Sequence, residues 1–265
     1  MMRGRGLDVV LAMYVVLIFT FVFAPIMFSL VFSFNSQRFP TIPLGEFSTE
    51  WYVKILNDPD VWQAVRNSVI VSSSTAVLAT LLGFCTAYTD FRYNFRFKGP
   101  YLALILLPPT IPLIIMALAM LAWLSRLGLS GQLWSIILAH SVLTAPFAMA
   151  IIRLRLHQMD PDLEAAAWNL GGTEWQAMRH VILPFCMPAI VSSLCLTAAV
   201  SFDEFAVAWF VSGLNKTVPI VILEIVQGNI DPTVNAIGTF VFLTSMTLVI
   251  AAQVIFISRQ IKSHS

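Results

Sequence analysis

The strongest constraint on this chain is a recurring apolar run long enough to cross a bilayer. A hydrocarbon core about 30 Å thick takes roughly 20 apolar residues in a helix. Six segments approach or exceed that length: 9–34, 68–89, 101–124, 133–152, 185–211 and 234–257. The chain is 58% hydrophobic and 11% charged, where soluble domains run about 45–50% and about 25%. A soluble core could bury such a composition only with difficulty, whereas lipid is itself the solvent for it. The sequence therefore predicts an all-α polytopic membrane protein with six transmembrane helices, one domain over residues 1–265. The first run follows MMRGRG but far exceeds the ~7–15-residue core of a signal peptide, and no A-x-A site follows it. It reads as an uncleaved span.

Lys and Arg set the orientation, because cytoplasmic loops collect them. With the N-terminus inside, ten of the 15 basic residues fall on the cytoplasmic side, among them the short loop FRYNFRFKG. An even number of spans returns the C-terminus to the cytoplasm. The outer segment 35–63 predicts one short interfacial helix near 51–56. The third span opens with LLPPTIP, whose prolines break a helix. It reads either as a kinked packing helix or as one bent around a pathway. TVPIVILEIVQ is too short to span and fits a re-entrant or interfacial piece. Cys85, Cys186 and Cys195 lie in apolar runs at no metal or redox spacing. The net charge of +1 gives no reason to expect nucleic acid. No G-x-x-x-x-G-K-[ST] phosphate loop is present, and no cofactor is expected on this chain.

One polar island interrupts the oily sequence: EAAAWNLGGTEWQAMRHVILP, residues 164–184. Asp160 can cap a helix and Pro161 suits its first position. Asp162 and Glu164 sit at the positive end of that helix dipole. Leu163, Ala167 and Leu170 fall on one face. Gly171 or Gly172 can take the left-handed turn that ends it. Thr173 and Gln176 form a capping box for a second short helix, with Trp175, Met178 and Ile182 as its stripe and Pro184 at the turn into the next span. Helices this short need something to pack against. That could be the chain's own spans or a soluble partner.

The fifth span carries SFDEFAVAWF. A carboxylate inside a membrane costs about 2.5–3.5 kcal/mol at the centre, so such groups face a partner or a cavity. At ~1.5 Å per residue Asp203 lies about 27 Å along the helix from Phe185, in the outer half. Asp203 and Glu204 read either as a structural ion pair or helix cap, or as a cation-attracting site, with Phe202, Phe205, Trp209 and Phe210 adding cation–π contacts. Adjacent residues point ~100° apart on a helix, which favours Asp203 as the one facing a pathway. Glu224 is a weaker candidate of the same kind. His140 reads as a hydrogen-bonded packing histidine rather than a proton relay.

The island resembles the cytoplasmic loop signature of ABC-importer permease subunits: Glu-Ala-Ala, three residues, Gly, nine residues, Ile, one residue, Leu-Pro. Anchored on Gly171, the pattern places Ala166, Ala167, Leu183 and Pro184 at matching positions, with Val181 for the isoleucine. Ala165 stands at the glutamate position and Glu164 one residue before it. LPPTIP, LAHSVLTAPF, LEAAAWNLGG and SFDEFAVAWFVSG resemble permeases of the spermidine/putrescine type, a likeness running from about residue 67 to the end. The resemblance implies a bacterial inner-membrane location and a second permease subunit. It also implies two cytoplasmic ATPases carrying ATP and Mg, and a periplasmic or extracellular substrate-binding protein. It makes 158–183 a coupling loop, with Leu163, Glu164, Ala166, Ala167, Leu170, Gly171, Gly172 and Trp175 meeting an ATPase. Asp203, Glu204, Phe202 and Trp209 become candidates for the pathway of a small cationic solute. Permeases of this family also serve other amines, amino-acid-like solutes and anions. A self-contained secondary transporter would need coupling-ion sites or inverted repeats, and neither is visible; nor is a catalytic constellation.

Overall fold

The computed structural model describes residues 5–37, 43–160, 162–228, 232–244 and 246–247. Its described residues fall into two compact units, one from Trp62–Val221 and one made of the segments before and after it. The described part is helical, and its one β-bridge joins Asn35 to Phe47.

In the second of these units, α1 (Arg5–Ser33) is a 29-residue apolar helix. α2 (Glu50–Leu56) is the short helix expected in the outer segment. It folds back on the end of α1: Tyr52 Oη lies 2.7 Å from Ser33 Oγ and Trp51 Nε1 donates to the Asn35 carbonyl at 2.8 Å. The apolar helix near the C-terminus (Thr233–Thr244) meets α1 through Ser29 and Asn235, 3.2 Å apart. The predicted sixth span continues past 247, outside the described residues.

The larger unit is built on three long helices. α3 (Pro59–Arg92) has 34 residues, about 51 Å at ~1.5 Å each, so it overshoots the bilayer core. α6 (Leu133–Leu156) and α9 (Leu183–Asp203) form the central seam. The α9 face turned to α6 carries Cys186, Ala189, Ser193, Thr197 and Ser201, all buried. This three-to-four-residue spacing of small side chains lets backbones approach where lipid gives no hydrophobic drive. α3 approaches α6 closely at Gly83. A Cβ on Gly83 would sit 2.6 Å from the Met149 nitrogen and 2.7 Å from Ala148 Cβ.

Among the described residues four helices are long and apolar enough to cross a membrane: Leu7–Ser33, Pro59–Arg92, Leu133–Leu156 and Glu174–Asp203. The predicted third span is two pieces, α4 (Lys98–Leu106) and α5 (Leu113–Arg126), separated by a 3-10 turn at Pro108–Thr110. Three prolines remove donors there, and Ile111, preceding Pro112, is extended with ψ 134°. The predicted fifth span also breaks: α9 ends at Asp203, Glu204 is extended with ψ 117°, and α10 (Ala206–Val211) restarts. α11 (Val218–Gly228) is the short apolar helix expected from TVPIVILEIVQ. α10 packs on α5, where Val207, Ala208 and Val211 meet Met116, Ala117 and Leu124 in one cluster. Gly83→Val is expected to destabilise the protein by about 1–3 kcal/mol through overpacking, seen as a lower melting temperature in detergent; a variant that melts with the parent would rule out this close crossing.

Candidate functional site

The polar island forms two helical pieces joined at a glycine corner. α7 (Asp162–Asn169) starts where Asp160 Oδ1 accepts from the Asp162 amide at 3.0 Å; Pro161 lies outside the described residues. It ends in a Schellman closure, Gly172 N to Ala167 O at 3.0 Å and Gly171 N to Trp168 O at 2.9 Å. Gly171 has φ +82°, a left-handed value that a side chain resists. Gly172 has the Ala167 oxygen 2.8 Å from where a Cβ would be. The expected capping box is present: Thr173 N donates to Gln176 Oε1 at 2.8 Å and Gln176 N to Thr173 Oγ1 at 3.3 Å.

The second helix is not the separate element expected. α8 (Glu174–Ala177) passes through a π-turn at Met178–Ile182 directly into α9. Pro184 has no amide to return to the His180 carbonyl, and the wider turn absorbs that loss. The π-turn also splits the anticipated stripe: Ile182 is buried and Met178 packs beside it, while Trp175 is 68% exposed.

The island presents an apolar outer surface. Leu170 is 90% exposed and Leu163 45%, with Ala166 exposed between them. Glu164 points the other way, its side chain only 8% exposed and 3.5 Å from Arg92 Nε at the end of α3. The Arg92 guanidinium also lies 4.7 Å from the Trp168 ring centroid. Two residues earlier, buried Asp90 takes Arg153 of α6 at 2.6 Å and Lys98 of α4 at 3.3 Å. Arg92 and Asp90 were not singled out from sequence. Arg92 entered the sequence reading only as one of the basic residues that orient the chain, and Asp90 had no part in it.

At the other end of α9 the adjacent acids separate. Glu204 turns inward. Its carboxylate accepts from Val207 N at 3.0 Å and Ala208 N at 3.3 Å, capping α10, and lies 3.2 Å from His140 Nε2. His140 is fully buried on α6, and its Nδ1 meets Ser201 Oγ at 2.9 Å. The packing role expected for His140 is what the geometry provides. Asp203 is exposed, as are Trp209 (39%) and Phe205 (43%), and Phe202 is half-buried. Glu224 lies on α11.

Beyond the membrane spans themselves, the fold and island define a class: a polytopic helical subunit with an apolar knob outside its membrane helices. Residues 79–262 match the family described as the binding-protein-dependent transport system inner membrane component. The chain is 33% identical to the spermidine/putrescine transport system permease protein PotC of Haemophilus influenzae, over 91% of this chain and 94% of that one. It is 32% identical to the putrescine transport system permease protein PotI of Escherichia coli, over 84% and 82%. A crystal structure of a bacterial ABC transporter involved in import of the acidic polysaccharide alginate superposes with TM-score 0.77 at 17% identity, covering 96% of this chain and 95% of that one; this similarity supports the fold. The chain belongs to the binding-protein-dependent inner-membrane permease family: it is a permease subunit of an ABC importer.

Glu204 caps a helix and faces a buried histidine, while Asp203 has no such duty. Glu204→Ala should therefore cost about 1–3 kcal/mol, and Asp203→Ala under about 0.5 kcal/mol. Thermal denaturation of both variants checks this; equal melting points would contradict the assignment.

Proposed function

We propose that this chain forms half of the import pathway for a small polycation, spermidine or putrescine, and that the island at 158–183 seats in a cytoplasmic ATPase. The observation that carries the reading is the exposed apolar surface of Leu163, Ala166, Leu170 and Trp175 around a φ +82° corner, on a chain with no phosphate loop of its own. Exposed apolar area of this kind normally has a partner. Ala167, Gly171 and Gly172 shape the corner, and Glu164 fixes it from behind.

The rest of the assembly follows the same reading. A second permease completes the pathway, two ATPase subunits bind ATP and Mg, and an external binding protein delivers the solute. Six membrane crossings leave both termini in the cytoplasm, the third and fifth being made from broken helices. ATP closes the ATPase pair, each knob moves with its ATPase, and the spans swing from inward-open to outward-open. Hydrolysis reverses the motion. Because α8 runs without interruption into α9, movement of the knob turns that span directly.

The polyamine assignment draws on the two relatives and on Asp203, an exposed acid in a stretch that also exposes Phe205 and Trp209, groups that suit an ammonium. A same-family permease for another small amine or an anion is the alternative, and an outer-half acid weighs against anions. Two measurements test the reading. Leu170→Asp combined with Trp175→Ala should cut recovery of the ATPase with the purified permeases about tenfold, equal to losing ~1.4 kcal/mol of binding; unchanged recovery would sink the docking surface. Asp203→Asn should lower uptake of radiolabelled spermidine by about fivefold or more while assembly is unaffected, in line with about 1 kcal/mol for a charge contact. Normal uptake by that variant would remove Asp203 from the pathway.

A further inference from the structure

The island is tied to more than the two helices that run into it. Its connections to α6 and α9 are covalent. Its charged link to α3 runs through Arg92. Arg92, in the last turn of α3, is held by the Glu164 carboxylate at 3.5 Å and by the Trp168 ring at 4.7 Å. Both partners lie on α7, four residues apart, so they form adjacent positions on one face. A guanidinium can pair with a carboxylate and stack on an aromatic face at once, which an ammonium cannot do as well. The pair is half-sheltered, with Arg92 at 30% and Glu164 at 8% side-chain exposure, so it is less screened than a surface pair.

We propose that Arg92 is a positioning residue that clamps α7 to α3 and makes α3 a second moving span driven by the knob. This rests on the reading of the island as the ATPase-docking element. The next turn of α3 extends the connection, because Asp90 holds Arg153 of α6 and Lys98 of α4. A displacement of α7 is therefore passed through charged contacts to the cytoplasmic ends of α3 and α4.

The test uses the full assembly of permeases and ATPases in vesicles, with ATP and vanadate as the trapping probe and a membrane-impermeant maleimide applied from the outer face. Two reporter cysteines are compared: Gln63→Cys at the outer end of α3 and Leu214→Cys after α10. In the parent protein both labelling rates should change on trapping. Arg92→Ala should reduce the change at Gln63→Cys by about threefold or more, within the usual range for residues that transmit coupling, and leave that at Leu214→Cys intact. The reversed pair Arg92→Glu with Glu164→Arg should restore more of the Gln63→Cys response than either single reversal. The clamp is overturned if Gln63→Cys responds equally with and without Arg92, if it does not respond in the parent, if the reversed pair restores nothing, or if Arg92→Ala abolishes both responses. Absence of a response at Leu214→Cys in the parent would instead remove the docking lever on which the clamp rests.

Discussion

A helix that stops inside a bilayer leaves amides and carbonyls that no water can satisfy. The larger unit of this protein is shaped by how it meets that demand. α9 stops at Asp203 and α10 starts three residues later. The amides of Val207 and Ala208 are taken by Glu204, whose own charge faces His140, which in turn meets Ser201. The chain of contacts joins α10, α6 and α9, so the break becomes a joint between three elements. Below it the small-residue face of α9 and the Gly83 crossing of α3 bring backbones together without large apolar side chains. The interior is accordingly rich in Ser, Thr and Ala rather than Leu and Phe, many of which point outward.

At the opposite end of α9 the same economy uses charges in place of caps. α3 ends in a cluster where Asp90 gathers Arg153 and Lys98, and Arg92 gathers Glu164 and Trp168. Arg155 adds a hydrogen bond to the Phe185 carbonyl at 3.1 Å and stacks on the Phe185 ring. Each arginine ties a different pair of elements. Meanwhile the island keeps Leu163, Leu170 and Trp175 outward, the surface that the proposed docking would cover.

Much of this was legible in the sequence because the signals were local. Capping by Asp160, the Thr173–Gln176 box and the left-handed Gly171 each depend on residues within four positions, and all are present. α2 and α11 followed from short apolar or amphipathic stretches bounded by breakers. The proline break expected in the third span is present. What failed was the continuity of the fifth: an apolar count sees 185–211 as unbroken, yet the helix stops at Asp203 and restarts at Ala206. The opposite error occurred at 174–184, where Pro184 suggests a corner but a π-turn carries the helix through. The long-range pairs Arg92–Glu164 and Asp90–Arg153 leave no periodicity to detect, because they depend on how three helices end beside one another.

The two adjacent acids show how one break can serve both structure and solute. Interrupting a helix creates a positive N-terminus and a negative C-terminus at the same level. The N-terminus of α10 would repel a cation, but the Glu204 carboxylate sits on its amides and offsets that charge. The C-terminus of α9 remains, ending at the exposed carboxylate of Asp203. Half-helix ends of this kind are a recurring way to hold ions in membranes. Because Glu204 is occupied by α10 and His140, Asp203 is the acid left exposed at the end of α9. Shifting the break one residue earlier would put Asp203 where Glu204 now caps and Glu204 where Phe205 now precedes α10, leaving Phe202 rather than an acid at the end of α9.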